Sequence, residues 1–211
     1  MLIHYYYTLI EKPESSHRVT SLAEVDMENV DYKRQPNPHE ISSRILQAGG
    51  TPCGVIRGGM FGLATNQLWM LSSWQESAVN PDPQDWLSGS DCEIKAQGSL
   101  LPTVRPNDAE ILTEQGIYVI RWINIKSEDI AEYTSLCVDT WPAFEAASKA
   151  RCFGVFRVKD FDNPARILML TWYASLLEWE NSRRLEPDDV SKWARRSEME
   201  LSHWAEAGRL A

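Results

Sequence analysis

Several patterns are missing from this sequence of 211 residues, and each absence excludes a class of protein. No apolar run approaches the roughly 18–20 residues that a membrane-spanning helix needs. The net charge is −9 and the acidic residues are spread out, so there is no basic patch for nucleic acid or an anionic membrane surface. The N-terminal segment lacks a basic region and a small-residue cleavage site. We therefore expect a cytoplasmic protein with no signal peptide and no nucleic-acid or membrane partner.

Motifs that would identify a reaction are also missing. The four cysteines, Cys53, Cys92, Cys137 and Cys152, form no CxxC pair and have no histidine at metal-ligand spacing. We therefore predict no metal and no cofactor, and we interpret the cysteines as small buried side chains in a reducing compartment. The sequence has no Ser–His–Asp order, no HExxH and no paired carboxylates. The glycines of residues 58–62 lack the GxGxxG spacing of a dinucleotide loop.

What the sequence does contain is one pattern that occurs twice, about a hundred residues apart. The tetrapeptide GVIR at residues 54–57 returns as GVFR at 154–157, and MLSSW at 70–74 returns as MLTWY at 169–173. Solenoid repeats have periods of roughly 20–50 residues, so this period is too long for one and has the size of a small domain. The sequence therefore predicts a duplicated unit, with the first copy at residues 1–105 and the second at 106–211.

Within each unit the pattern of elements predicts a ferredoxin-like fold. Each unit reads as strand, helix, strand, strand, helix, with a fourth strand visible only in the first unit. This order is typical of an antiparallel sheet with helices on one face. We therefore predict an α+β protein in which two ferredoxin-like units pack their sheets as a barrel with the helices outside. The first unit carries a long polar loop insertion at residues 11–40. The predicted strands are 2–10, 53–58, 66–73, 92–104, 116–125, 152–158 and 166–173, and the predicted helices are 39–48, 127–149, one that begins after Ser175, and 187–208 in place of a last strand.

Three segments resemble a known family. Residues 154–175 form a hydrophobic strand pair that ends in Trp172 and Tyr173, and a short helix with Arg183 follows. Residues 98–103 resemble that family's closing strand and residues 7–9 its opening strand. With these motifs the chain resembles the NIPSNAP family of the dimeric α+β barrel superfamily. The resemblance implies the barrel fold, and it implies relatives that include monooxygenases, cyclases and haem-dependent enzymes. A homodimer and a single chain that closes its own barrel both stay open.

Four side chains are candidates for catalysis. His4 and Tyr6 share the more polar face of the first strand with Thr8, and we predict that this face lines the barrel interior. Arg57 and Arg157 stand at equivalent positions of the repeat, on strands that otherwise read as buried. A buried arginine needs a carboxylate or an anionic ligand, so we expect these two to hold a ligand oxygen, with a structural ion pair as the alternative. The imidazole of His4 could move a proton near neutral pH.

Four aromatic residues are candidates for ligand binding. Tyr118 and Trp122 lie on the amphipathic face of the strand at 116–125, and Trp69 and Trp172 lie on the third strands of the two units. A pocket lined by such rings suits a small hydrophobic or aromatic ligand. Packing of the core is the alternative interpretation for the tryptophans.

The leading hypothesis for function is a barrel that binds a small molecule, as an enzyme that works without a cofactor in the manner of a monooxygenase or cyclase. The alternative is a non-catalytic scaffold of the NIPSNAP type. A haem protein would need an axial ligand, and His4 is the only histidine placed in a predicted strand. The arginine pairs at 183–184 and 195–196 are interpreted as solvated helix faces with local ion pairs.

Overall fold

The computed structural model describes residues 3–12, 36–75, 82, 87–90, 92–107, 110–184 and 190–211. Eight strands and four α-helices lie within these residues, and one 3₁₀ turn at Ser127–Asp129 precedes the second helix. The strands are β1 (Ile3–Glu11), β2 (Thr51–Arg57), β3 (Gln67–Gln75), β4 (Glu93–Arg105), β5 (Ile117–Ile125), β6 (Ala150–Asp162), β7 (Ala165–Tyr173) and β8 (Glu200–Leu210), and the helices are α1 (Pro38–Gln47), α2 (Ile130–Ala147), α3 (Leu176–Ser182) and α4 (Val190–Met199).

The strands form one closed antiparallel barrel. Their order around it is β1-β3-β2-β8-β5-β7-β6-β4, and β4 returns to pair with β1. The prediction of an α+β barrel with the helices outside is confirmed. Because one chain closes the barrel, a second chain is not needed to complete the sheet. The division into two units at residue 105 and the homodimer stay predictions.

The predicted helix at 187–208 is wrong in its second half. Helix α4 ends at Met199, and β8 begins at the next residue and is the last strand of the barrel. It pairs with β5 from Glu200 to Arg209 and with β2 through Arg209 and Leu210. Its sequence is rich in Glu, Ala and Leu, which favour helix, and its first five residues after Glu200 are exposed, so it lacks the alternation of a half-buried strand. Pairing with two neighbours outweighs this local preference.

The barrel interior is filled by apolar side chains, and this overturns the predicted orientation of β1. Tyr5 and Tyr7 point inward, because these rings belong to the interior cluster. Tyr6 instead packs on the outside, against the cluster that includes Ile41 of α1. The more apolar face of β1 turns inward because the interior excludes water on all sides, whereas the outer face is only partly covered by helix. The cluster draws residues from every strand of the barrel, among them Trp69, Leu71, Leu100, Ile120, Phe156, Leu168 and Leu210.

The helices cover two separate parts of the outer surface of the barrel. Helix α1 lies on the face formed by β1, β3 and β2, and it buries Ile41 and Ile45 there. It begins where the sequence predicts, because the side chain of Asn37 accepts hydrogen bonds from the backbone N–H groups of His39 and Glu40 at 3.1 and 3.4 Å. Helices α2 and α4 cover the outer face of β5, β6 and β7.

Some predictions fall on residues that the structure does not describe. Residues 13–35 of the predicted loop insertion lie outside the described residues, as does His17. Among the described helices, none combines the length and the apolar character that crossing a membrane requires. The described residues also contain no group of three or more His, Cys, Asp or Glu side chains that could hold a metal ion.

Candidate functional site

A cavity of about 270 Å³ lies between the barrel and the helices of the second half of the chain. We call it the helical chamber. Side chains alternate across a strand, so those that do not enter the barrel interior point toward the helices and form the chamber floor. The floor consists of Arg121 of β5, Cys152 of β6 and Met169, Thr171 and Tyr173 of β7, and the walls include Trp141, Phe144 and Ala147 of α2, Arg183 after α3, and Lys192, Trp193 and Arg196 of α4.

Arg196 is the most unusual residue of this chamber. Its side chain is on α4 and only 6% of the residue is exposed, yet no carboxylate among the described residues forms an ion pair with it. Its Nε is buried without a hydrogen-bond partner, and its Nη1 faces the Cys137 Sγ at 3.8 Å. The guanidinium lies over the Trp193 ring, 4.2 Å from its centroid. A buried charge without a counter-ion is costly, so an anion in the chamber would be stabilised by Arg196.

Two more guanidinium groups line the same chamber. Arg183 donates a hydrogen bond from Nη2 to the Tyr173 hydroxyl at 3.3 Å and lies 5.2 Å from the Trp179 ring centroid. Burial lowers the pKa of Arg183, and the positive charge of Arg121 lowers it further. Within the described part of the chain, Arg121 makes no hydrogen bond and no ion pair through its side chain. Asp139, the one carboxylate among the described residues of the wall, is already bound to Lys192 at 3.0 Å.

The arginines next to Arg183 and Arg196 in sequence are exposed and form ion pairs. Arg184 pairs with Glu180 at 2.6 Å and Arg195 pairs with Glu132 at 2.7 Å, and all four side chains are exposed. The prediction of solvated helix faces is therefore confirmed for Arg184 and Arg195. It is wrong for Arg196, which is buried on the side of α4 that faces the barrel, whereas Arg183 is exposed and donates a hydrogen bond to Tyr173 instead of forming an ion pair with any described residue. One signal was available in the sequence, because Arg196 falls three residues after Trp193 and therefore on its apolar side of the helix.

The four predicted ligand-binding residues lie together, but in the barrel interior rather than in the chamber. Trp69, Tyr118 and Trp122 belong to the buried interior cluster and Trp172 packs against it. Trp122 contacts the Tyr7 ring edge-on at a centroid distance of 4.9 Å, and the Tyr118 hydroxyl donates to the Glu114 carbonyl at 2.9 Å. Burial raises the pKa of Tyr118 well above its ordinary value, so this phenol stays protonated. Their role in ligand binding stays a prediction.

The four predicted catalytic residues are not brought together. His4 lies opposite Trp74 in the β1–β3 register, and Tyr6 faces α1. The neighbours of Arg57 and Arg157 in sequence, Ile56 and Phe156, enter the interior cluster, so strand alternation turns both arginines outward. Arg157 forms an ion pair with Asp162, which is the structural alternative predicted for it. None of the four lines the helical chamber, and their catalytic roles stay predictions.

The two buried cysteines beside the chamber, Cys137 and Cys152, should be unreactive as thiols. Burial raises the pKa of Cys137 to about 11 and that of Cys152 to about 12, with Glu145 adding to the effect on Cys152. Both side chains are therefore neutral at physiological pH, and a neutral thiol is a poor nucleophile. We expect iodoacetamide to alkylate the half-buried Cys92 first and to reach Cys137 and Cys152 only after unfolding. Peptide mapping by mass spectrometry measures this order, and rapid labelling of Cys152 in the native protein would contradict it.

Comparison with known proteins identifies the fold. No protein-family model matches this chain, and no curated protein matches it. Similar solved structures include a mutant chlorite dismutase from Candidatus Nitrospira defluvii (8% identity, TM-score 0.58, 99% of this chain and 91% of that one). A second is an anthrone oxidase-like protein (9% identity, TM-score 0.57, 99% and 91%). A third, from Listeria monocytogenes, is a ferredoxin-fold protein related to antibiotic biosynthesis monooxygenases (10% identity, TM-score 0.52, 99% and 94%). At such identities the likeness concerns the fold alone, and by fold this chain is a ferredoxin-like α+β barrel.

Proposed function

We propose that this protein binds a small anionic molecule with an aromatic or apolar body in the helical chamber. The observation that carries the proposal is Arg196, a buried guanidinium with no carboxylate partner among the described residues. Arg121 and Arg183 bring two further positive charges to the same cavity. A planar guanidinium in a site of low polarity is well suited to a carboxylate, phenolate or enolate oxygen.

The rest of the chamber suits the body of such a ligand. Trp141, Phe144, Met169 and Trp193 supply aromatic and apolar surface around the charged groups. Ligand sites in proteins commonly combine a mainly apolar lining with a few polar groups that fix orientation. The volume of about 270 Å³ accommodates one or two fused rings rather than a large cofactor. This supports the predicted ligand class, a small hydrophobic or aromatic molecule, and adds a negative charge to it.

The enzymatic part of the proposal concerns proton transfer without a bound cofactor. A guanidinium beside a ligand oxygen favours the ionised form of that oxygen, which is the step that prepares an enol or phenol for reaction. The Tyr173 hydroxyl accepts a hydrogen bond from Arg183 at 3.3 Å and lines the chamber, so we assign it to relay the ligand proton, which it accepts on its oxygen while its own proton passes to solvent. Solved structures named for monooxygenases share the fold, which alone does not imply their activity. Membership of the NIPSNAP family stays a hypothesis, and the chamber favours ligand binding over a scaffold role.

Calorimetric titration tests the proposal with two probes that differ only in charge. Hydrocinnamate carries a phenyl ring and a carboxylate, and hydrocinnamamide is its neutral amide. We expect the carboxylate to bind at least about tenfold more tightly, which corresponds to one charge-assisted hydrogen bond of about 1.4 kcal/mol or more. The preference should persist in moderate salt because Arg196 is buried and Arg121 is half-buried. Equal affinities for the acid and the amide would refute an anion site.

A further inference from the structure

A second cavity lies beside the helical chamber. Its volume is about 250 Å³, and it lies between the outer faces of β5 and β8, helix α3 and the turn that joins β2 to β3. We call it the rim chamber. Phe61 from that turn stacks on Trp179 of α3 with a centroid distance of 5.7 Å, so two aromatic rings close one side of it. The other lining residues are Ile117, Val119 and Arg121 of β5, Leu176 of α3, Arg183, and His203, Ala205, Glu206 and Ala207 of β8.

The two chambers share part of their walls. Arg121 and Arg183 line both of them, and among the described residues no other side chain is common to the two linings. Arg183 is the C-cap residue of α3. Within α3, Ser182 lines the helical chamber, whereas Leu176 and Trp179 line the rim chamber. Helix α3 therefore crosses over the place where the chambers meet, and the arginine pair lies at that junction.

The size of the chambers bears on the kind of ligand. Each alone is smaller than the roughly 300–1,000 Å³ of ordinary ligand sites, whereas the two together fall within that range. Both are lined largely by aromatic and aliphatic side chains, and positive charge is placed where they join. Two like charges at a junction are held together most easily when an anion lies between them.

We propose that the two chambers form one site for a single elongated ligand, with an anionic group at the Arg121–Arg183 junction and an apolar arm in each chamber. This inference rests on the proposed function and adds the shape of the ligand to it. The ligand class is an acid, enol or phenol whose ionisable oxygen lies near the middle of the molecule and is flanked by two aromatic or aliphatic parts. Arg196 then contacts the same anionic group or a second oxygen from the side of the helical chamber.

Two probes and three variants test the shape of the site. Hydrocinnamate has one phenyl arm, and dibenzylacetate has two phenyl arms on the carbon that carries the carboxylate. Ala205 is an exposed residue of the rim chamber wall and Ala147 an exposed residue of the helical chamber wall, so Ala205→Trp and Ala147→Trp each fill one chamber from the outside. Ala146→Trp places the same ring on the exposed surface of α2 and serves as the control, because Ala146 lines neither chamber.

In the wild-type protein we expect dibenzylacetate to bind about ten- to a hundredfold more tightly than hydrocinnamate, since burying one further phenyl group has that effect. Ala205→Trp should reduce this ratio to about one, and Ala147→Trp should weaken both probes. Ala146→Trp should change neither affinity. Phe61→Ala, which opens the rim chamber rather than filling it, should also reduce the ratio, and circular dichroism verifies that each variant is folded.

Two results would overturn the inference, and they differ from failure of the proposed function. A wild-type protein that binds both probes equally, or an Ala205→Trp variant that retains the preference for dibenzylacetate, would leave a one-chamber site with the anion function intact. A wild-type protein that binds neither the acids nor the amide would instead remove the proposed function, and the elongated site with it.

Discussion

Replacing Arg196 by methionine is expected to weaken the binding of aryl carboxylates at least about thirtyfold and to stabilise the unliganded protein. The guanidinium is buried with no carboxylate partner in the described chain, so the folded protein bears its desolvation cost without compensation. An apolar side chain of similar length removes that cost, and such replacements stabilise proteins by about 1–4 kcal/mol. Loss of a buried charge partner weakens binding by about 2–5 kcal/mol, which is roughly thirty- to several-thousandfold. Urea denaturation and calorimetric titration with hydrocinnamate measure the two effects.

The neighbouring residue supplies the matched control. Arg195 is on the same helix and carries the same charge, but it is exposed and paired with Glu132 at 2.7 Å. Arg195→Met should therefore leave the affinity for hydrocinnamate unchanged and the free energy of unfolding close to that of the wild type. If only Arg196→Met raises the free energy of unfolding and weakens binding, Arg196 binds the ligand at a cost to the stability of the unliganded protein. If Arg196→Met destabilises the protein and binds hydrocinnamate normally, Arg196 is a structural residue.

Substituting Gly208 by valine is expected to open the barrel where β8 meets β2. A Cβ atom at this position would lie 2.2 Å from the Arg57 carbonyl oxygen and 2.5 Å from the Ile56 Cγ2. The backbone of β2 cannot yield to it without losing the short β2–β8 pairing, which joins only Ile56 to Leu210 and Arg57 to Arg209. Overpacking costs about 1–3 kcal/mol or more, and here a strand pairing is lost as well, so we expect a loss of about 3 kcal/mol or more. The midpoint of urea denaturation gives the value.

The control for this change is the next residue of the same strand. Arg209 is exposed, so Arg209→Ala should alter the free energy of unfolding by no more than about 0.5 kcal/mol. A Gly208→Val variant as stable as the wild type would show that β8 does not close the barrel against β2. That result would favour the terminal helix predicted for residues 187–208 over strand β8.

Seven of the eight strands could be predicted from the sequence, and the reason is visible in their residues. Strands such as β3 and β7 are buried along almost their whole length, so they read as dense apolar runs bounded by turn residues. The duplicated GVIR/GVFR and MLSSW/MLTWY segments fall on the β2–β3 and β6–β7 pairs. Strand β8 escaped prediction because most of its side chains are exposed and its residues favour helix.

The site was harder to predict than the fold, because it depends on which face of each strand turns inward. We expected polar residues such as His4 and Tyr6 to line a ligand cavity inside the barrel, but the interior is filled with apolar rings. The charged cavity lies on the opposite side of the sheet, where Arg121 is the one charged residue of the largely apolar strand β5. Arg196 comes from a helix 75 residues after Arg121 in sequence, and no local pattern shows that these two residues line one cavity.

The most direct test of an anion site between the barrel and its helices is a crystal structure with a bromine-labelled hydrocinnamate, in which anomalous scattering locates the ligand. We expect bromine in the helical chamber near Trp141 and Trp193, with the carboxylate within hydrogen-bonding distance of Arg196, Arg183 or Arg121. Bromine inside the barrel, among Trp69, Tyr118 and Trp122, or a carboxylate that contacts none of the three arginines, would contradict it.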